Sequence, residues 1–284
     1  MAHFPEISWL SLIAQGTKQD SNVSTLGGTG VAGRGEVLGA RAIATLPAGK
    51  EFYHSLTLGF DYKHYDQDLT IAGSEILTPV THYPFSFSYS ATWANKASVT
   101  VLNGGVTFNL RGVGSDEAEF DFNRFKASGS FFYFRGDLSH THDLPGGLQL
   151  FGKLQGQVAD GPLLSSEQFN AGGLATARGY LESEVLGDNG IFASIELRSP
   201  SLFSASSVKN EWRFYAFSEG GLVTLDDVLP EQQSHFYLAS IGAGSRIRLQ
   251  DHFNGSLDIG LPLISQTQTK AWDLLVTFRV WTDF

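Results

Sequence analysis

Two short stretches of this sequence carry residues that could do chemistry. The first is Phe169-Asn170-Ala171-Gly172-Gly173-Leu174-Ala175-Thr176-Ala177-Arg178-Gly179-Tyr180, which runs on to Gly187-Asp188-Asn189-Gly190. It lies in segment 160–190, which has no clear strand period; connections of that length are usually functional or disordered. Its glycines and aromatics favour an ordered loop that folds inward. The second stretch is Phe217-Ser218-Glu219-Gly220-Gly221. Here Trp212, Phe214 and Ala216 face one way, and Arg213, Tyr215, Phe217 and Glu219 the other. With the apolar set on lipid, Glu219 points to an enclosed side, where a carboxylate is costly unless a cation pairs with it. The plain alternatives are a solvated loop arginine at 178 and one of several unpaired lumenal charges at 219.

Other chemistry is harder to assemble. His140 and His142 share one strand face next to Asp143, a weak metal signal that a solvated rim beside a short turn explains better. The acidic run Asp116-Glu117-Ala118-Glu119-Phe120-Asp121 lacks the spacing and turn glycine of an EF-hand and reads as a solvated loop. No Gly-x-Ser-x-Gly elbow precedes a helix, and no phosphate-binding loop is present. With no cysteine in the chain, disulfides and thiolate metal sites are excluded. The expectation is a protein that is not an enzyme, with no catalytic residues, no metal site and no cofactor.

What must position these residues is a series of strands. Phe85, Phe87, Tyr89, Ala91 and Trp93 alternate with Ser86, Ser88, Ser90 and Thr92; Ile191, Ala193, Ile195 and Leu197 alternate with Ser194, Glu196 and Arg198. Such alternation marks half-buried strands. Twelve segments show it: 6–17, 37–46, 53–66, 84–96, 98–112, 124–142, 147–159, 190–199, 211–224, 236–250, 253–264 and 272–284. Soluble strands average about 5–6 residues, whereas a bilayer crossing takes about 9–11, and many of these are long. Short connections (47–52, 143–147, 250–252) and long ones (67–83, 113–123, 160–189, 223–235) recur as in outer-membrane barrels, which have short turns on one side and long loops on the other. A soluble β-sandwich also alternates, but would not normally carry so many long strands with aromatic outer faces.

Composition agrees. Among 284 residues, 13% are aromatic and 17% charged, where soluble domains carry about 25% charged residues. The net charge of −10 and the lack of a basic stripe argue against nucleic acid as a partner. No run is long and apolar enough for a transmembrane helix. The expected fold is all-β, a single transmembrane antiparallel β-barrel domain across 1–284, in contact with outer-membrane lipid.

In order along the chain, these motifs resemble the two-partner secretion (TpsB) outer-membrane transporters, the family of haemolysin and filamentous haemagglutinin exporters, within the BamA-like superfamily. The family's loop motif Val-Arg-Gly-Tyr/Phe is matched by Ala177-Arg178-Gly179-Tyr180, and its strand motif Phe-x-Asp-x-Gly by Phe217-Ser218-Glu219-Gly220-Gly221. Similar stretches are Gly59-Phe60-Asp61-Tyr62-Lys63, Leu110-Arg111-Gly112-Val113-Gly114-Ser115-Asp116 and Leu138-Ser139-His140-Thr141-His142-Asp143-Leu144-Pro145. The likeness runs from about residue 7 to the end.

The resemblance implies that the motif loop folds back into the barrel and that Arg178 pairs with Glu219 across the lumen. Arg178, Gly179, Tyr180, Phe217, Glu219 and Gly221 are then the loop-anchoring and translocation residues. Ala177 stands for the usual valine and loses some apolar packing. Glu219 stands for the usual aspartate, and its extra methylene implies a looser pair. The family barrel has sixteen strands behind two POTRA domains. Seven strands precede the loop here and five follow it, so the segments resemble the last twelve. The expectation is a fragment that lacks the first four strands, the POTRA domains and the signal peptide; the alternative is a smaller barrel closed between 6–17 and 272–284. The implied function is translocation of a large TpsA-type exoprotein, a haemolysin or adhesin, across the outer membrane. A BamA-like barrel insertase and a passive porin are the rivals.

Overall fold

The computed structural model describes residues 2–3, 9–24, 30–71, 74–203 and 210–283. The strands in chain order are β1 (Ala2–His3), β2 (Leu10–Ser24), β3 (Gly30–Thr45), β4 (Phe52–Ile71), β5 (Ser74–His82), β6 (Phe85–Ala94), β7 (Ser98–Asn109), β8 (Phe131–Asp143) and β9 (Gln149–Ala159). They continue with β10 (Phe169–Ala171), β11 (Val185–Gly187), β12 (Asn189–Arg198), β13 (Glu211–Thr224), β14 (His235–Leu249), β15 (Phe253–Pro262) and β16 (Leu275–Thr282). Between β7 and β8 lies one short helix, α1 (Glu117–Asn123).

Each long strand pairs antiparallel with the next, in the order β1-β2-β3-β4-β6-β7-β8-β9-β12-β13-β14-β15-β16, with β5 added to β4. All twelve expected strands are present, with ends that move by up to seven residues: β2 runs on to Ser24, β3 begins at Gly30 and β4 runs on to Ile71. Residues 6–8 and Phe284 lie outside the described residues. Among the described residues β16 pairs with β15 alone and β2 with β1 and β3, so the sheet is open, and no ladder joins the 6–17 and 272–284 segments.

The outer face is apolar along its length, with Leu58, Phe87, Val158, Ile195, Phe278 and Val280 exposed. Bare apolar side chains in such a band are normal against lipid and unfavourable in water. The inner face carries Ser86, Ser88, Asn103, Thr107, Asp137 and Gln155, which line a cavity of about 300 Å³. Short turns (46–51, 95–97, 144–148, 250–252) and the longer connection 199–210 fall at one end of the strands; the long connections 110–130, 160–188, 225–234 and 263–274 fall at the other.

Three elements depart from the sequence reading. The acidic run at 116–121 is helical rather than loop. Asp116 caps α1 by accepting from Glu119 N at 2.9 Å, and Glu119 returns a bond to Asp116 N at 3.0 Å. This capping box satisfies two otherwise orphaned donors and lets Phe120 bury completely. The strand expected from residue 124 starts at Phe131, because 124–130 is the return from α1. The connection expected at 67–83 contains β5, which pairs with the outer half of β4 from Lys63 opposite His82 to Ile71 opposite Ser74.

Candidate functional site

The connection between β9 and β12 folds back along the inner face as a small hairpin. Its base is β10 paired with β11, with Phe169 opposite Gly187 and Ala171 opposite Val185; residues 172–184 form the tip. Phe169, Ala171, Ala177, Tyr180 and Val185 bury against Phe192 of β12, Val223 of β13, and Phe236 and Leu238 of β14. A fully buried large apolar side chain contributes about 1.5–3 kcal/mol, so the burial of Phe169, Tyr180 and Val185 favours docking. Ala177, where the family carries valine, is fully buried within it.

At the tip, Arg178 meets three carboxylates. Its Nε and Nη2 donate to Glu219 Oε1 at 2.9 and 2.5 Å. Nη2 also lies 2.8 Å from Glu196 Oε1, and Nη1 donates to Asp258 Oδ1 at 3.1 Å. The backbone N–H of Arg178 donates to Glu219 Oε2 at 2.7 Å. All four residues are buried. Glu219 is thus not loosely held: the added methylene brings one oxygen to the guanidinium and the other to the backbone of the same residue. The surplus negative charge is shared out. Arg198 Nη2 sits 2.6 Å from Glu196, the Ser194 hydroxyl donates to Glu219 at 3.0 Å, and the Tyr215 hydroxyl donates to Asp258 at 2.7 Å.

Phe217 lies under the guanidinium, its ring centroid 3.7 Å from Cζ. A desolvated cation–π contact of this kind is worth about 2 kcal/mol. Room for the rings comes from β14, where Gly242 faces Phe217 and Gly244 faces Tyr215; a Cβ on Gly242 would fall 2.4 Å from Phe217 Cζ. Gly179 has φ +97°, in the region that favours glycine, and its backbone lies against Gly260 of β15, where a Cβ would come 2.4 Å from Gly179 N. Gly221 clears Phe192 in the same way, since a Cβ there would meet that ring at 2.5 Å.

Tyr180 is fully buried. Its hydroxyl lies 3.0 Å from Ala239 O and 2.8 Å from Ile264 O, and accepts from the N–H groups of the same two residues at 3.3 and 3.2 Å. Glu184 accepts from the backbone of Gln268 and Thr269 at 2.9 and 3.0 Å and from the Thr269 hydroxyl at 2.7 Å. The tip is therefore tied to β12, β13, β14, β15 and the connection after β15.

The sequence-marked residues all converge here, with Phe217 as the ring, Gly221 and Gly179 as clearances, and Arg178, Glu219 and Tyr180 as polar contacts. Glu196 and Asp258 were missed as partners of Arg178. Strand parity puts both on the same face as Glu219, but their alignment depends on register across three strands.

A second buried carboxylate, Glu167, was also missed. It precedes β10, its side chain is inaccessible, and it touches the opposite part of the sheet. Lys63 Nζ of β4 donates to it at 2.5 Å, His82 Nε2 of β5 lies 2.9 Å away, and the Tyr133 hydroxyl of β8 donates at 2.9 Å. Burial opposes ionisation of this carboxyl, but the hydrogen bond and charge of His82 and the charge of Lys63 outweigh it and hold the group down at about 2. His140 and His142 stack on each other, centroids 6.0 Å apart. Among the described residues no group of three or more His, Asp or Glu could hold a metal ion.

The chain can be set beside known proteins on this geometry. A family model described as haemolysin secretion/activation protein ShlB/FhaC/HecB matches residues 50–247. Among solved structures, CdiB from Escherichia coli superposes with a TM-score of 0.75 at 21% identity over 96% of this chain and 50% of that one. CdiB from Acinetobacter baumannii gives 0.62 at 19%, covering 95% and 46%. BamA from Haemophilus ducreyi lacking POTRA domains 1–3 gives 0.62 at 13%, covering 96% and 62%. The chain thus spans about half the length of the CdiB structures it matches. No curated protein sequence matches it. With the family model covering most of the chain, and the fold that of outer-membrane β-barrels, this chain belongs to the ShlB/FhaC/HecB haemolysin secretion/activation family of the Gram-negative outer membrane.

Proposed function

We propose that this chain is the barrel portion of a two-partner secretion pore that passes a large TpsA-type exoprotein, such as a haemolysin or adhesin, from periplasm to cell surface, and that it is not an enzyme. The observation that carries this reading is the hairpin 160–188, folded onto the inner face with Arg178 seated among Glu196, Glu219 and Asp258. A passive porin gains nothing from so costly an arrangement, because gathering three carboxylates around one buried cation requires desolvating all of them. The rest of the inner face suits an extended, unfolded chain. Its serines, threonines, asparagines and glutamines offer hydrogen bonds to a passing backbone without binding any one sequence tightly. POTRA domains upstream in the full-length protein would capture the partner, and folding of the partner outside would supply direction.

The test is deletion of the full-length gene. Loss of one exoprotein from the culture supernatant, restored by the gene on a plasmid, supports the reading. Unchanged secretion with a general fall in outer-membrane barrels would assign the insertase role instead. Unchanged secretion with reduced permeability to small solutes would assign a porin.

A further inference from the structure

The Arg178 site holds the tip of the hairpin, yet the base is gripped by a separate buried cluster on strands that the tip does not reach. We propose that Glu167, held by Lys63, His82 and Tyr133, is the second anchor of the inserted hairpin, a positioning residue that fixes the base and so the direction in which the tip enters the barrel.

The two anchors have opposite polarity. At the tip, a loop cation enters a nest of wall carboxylates; at the base, a loop carboxylate enters a wall site made by Lys63, His82 and Tyr133. Swapping the two ends would place like charges together, so only one orientation of the hairpin satisfies both sites. Lys63 and His82 are direct cross-strand neighbours, which puts both donors on one spot of the wall. The backbone around Glu167 is held as well. Arg135 Nη2 donates to the carbonyls of Glu167 and Gln168, each at 3.2 Å, and Gln157 Nε2 donates to the carbonyls of Glu167 and Asp188 at 3.2 and 3.0 Å. The wall does not need Glu167 for its own cohesion, since β4 with β5 and β8 with β9 are joined by continuous ladders. The partner that Glu167 immobilises is therefore the connection 160–188.

The consequence for secretion rests on the transport reading; the anchoring itself does not. The absence of cysteine permits a clean test in the full-length protein in whole cells. Ala171 at the base and Ala177 at the tip are both fully buried, so Ala171→Cys and Ala177→Cys, made singly, report each end by their rate of labelling with a membrane-impermeant maleimide. Glu167→Gln should speed labelling at position 171 by at least about tenfold, the ratio that ~1.4 kcal/mol of lost anchoring gives, with a smaller change at 177. Lys63→Met should do the same. Arg178→Ala should show the reverse pattern, with 177 rising more than 171. Unchanged labelling at 171 in Glu167→Gln or Lys63→Met overturns the proposal. So does loss of the heat-modifiable barrel band, which would make Glu167 a determinant of barrel folding. Faster labelling at 171 with wild-type secretion in every variant would keep the anchor and show that export does not depend on it, whereas secretion unaffected by deletion of the whole gene would refute the transport reading and leave the anchor standing.

Discussion

Replacing Arg178 by alanine should sharply reduce export while leaving the barrel in the membrane. The substitution removes a cation that touches Glu219, Glu196 and Asp258 at 2.5, 2.8 and 3.1 Å. Two of these carboxylates keep a strong donor, since Arg198 remains beside Glu196 and the Tyr215 hydroxyl beside Asp258. Glu219 keeps the Ser194 hydroxyl and the backbone N–H at 178. Only Glu196 keeps a countercharge, so Glu219 and Asp258 are left with neutral donors alone, which puts the cost at no less than the ~3 kcal/mol seen when a buried pair is broken. At ~3 kcal/mol the docked state of the tip loses about two orders of magnitude in relative population. The ladders of β12 to β16 do not involve this side chain, so insertion should persist. Arg178→Lys should fall between wild type and alanine, because a single ammonium cannot span three carboxylates or lie flat on Phe217. Glu219→Gln should be milder, since it preserves shape and leaves Glu196 and Asp258 on the arginine. The assay is exoprotein in the supernatant, normalised to heat-modifiable barrel in the outer membrane. Wild-type export by Arg178→Ala would falsify the view that the seated arginine matters for transport.

Three further expectations can be checked alongside it. Tyr180→Phe deletes a buried hydroxyl that touches four backbone groups of Ala239 and Ile264 and should cost about 1–3 kcal/mol of tip docking, read as faster maleimide labelling at Ala177→Cys. Gly179→Ala should undock the tip more severely, because φ is +97° and the new Cβ would fall 2.9 Å from the Gly260 carbonyl carbon; if it labels and secretes like wild type, the close contact with β15 is irrelevant. The carboxyl of Glu167 sits at about 2 in the fold against an ordinary 4.5, so its contribution is complete above about pH 4.5 and is lost as the pH falls toward 2. Because the thiolate is the reacting species, the readout is labelling at Ala171→Cys with a pyridyl disulfide, which reacts in acid, divided by that of a fully exposed cysteine at the same pH; this ratio should stay flat from neutrality to about pH 5 and rise only in stronger acid.

The strands were legible because lipid on one side and polar surface on the other impose a period of two on the sequence. That same parity placed Glu219, Phe217 and Tyr215 on the inner face. Register was not legible, so the convergence of Glu196, Glu219 and Asp258 from β12, β13 and β15 could not be read from any one segment. The helix α1 was hidden for a different reason. Its Asp116-x-x-Glu119 capping signature was present, but seven residues give too little period to separate a helix from a solvated acidic loop. Glu167 lay in a non-periodic stretch, and Lys63 and His82, which give it meaning, lie far away in sequence.

The glycines of β14 and β15 give the seat of the hairpin tip an unusual material property. Where Phe217, Tyr215 and Gly179 rest, the wall is bare main chain at Gly242, Gly244 and Gly260. Bare main chain has no rotamers to rearrange. Backed in this way, Phe217 and Tyr215 lie flat on the wall, so the rings under Arg178 have a firm support although the carboxylates around it are side chains. Where Gly179 meets Gly260 the fit is backbone on backbone, set by the path of β15 rather than by a choice of side-chain rotamers.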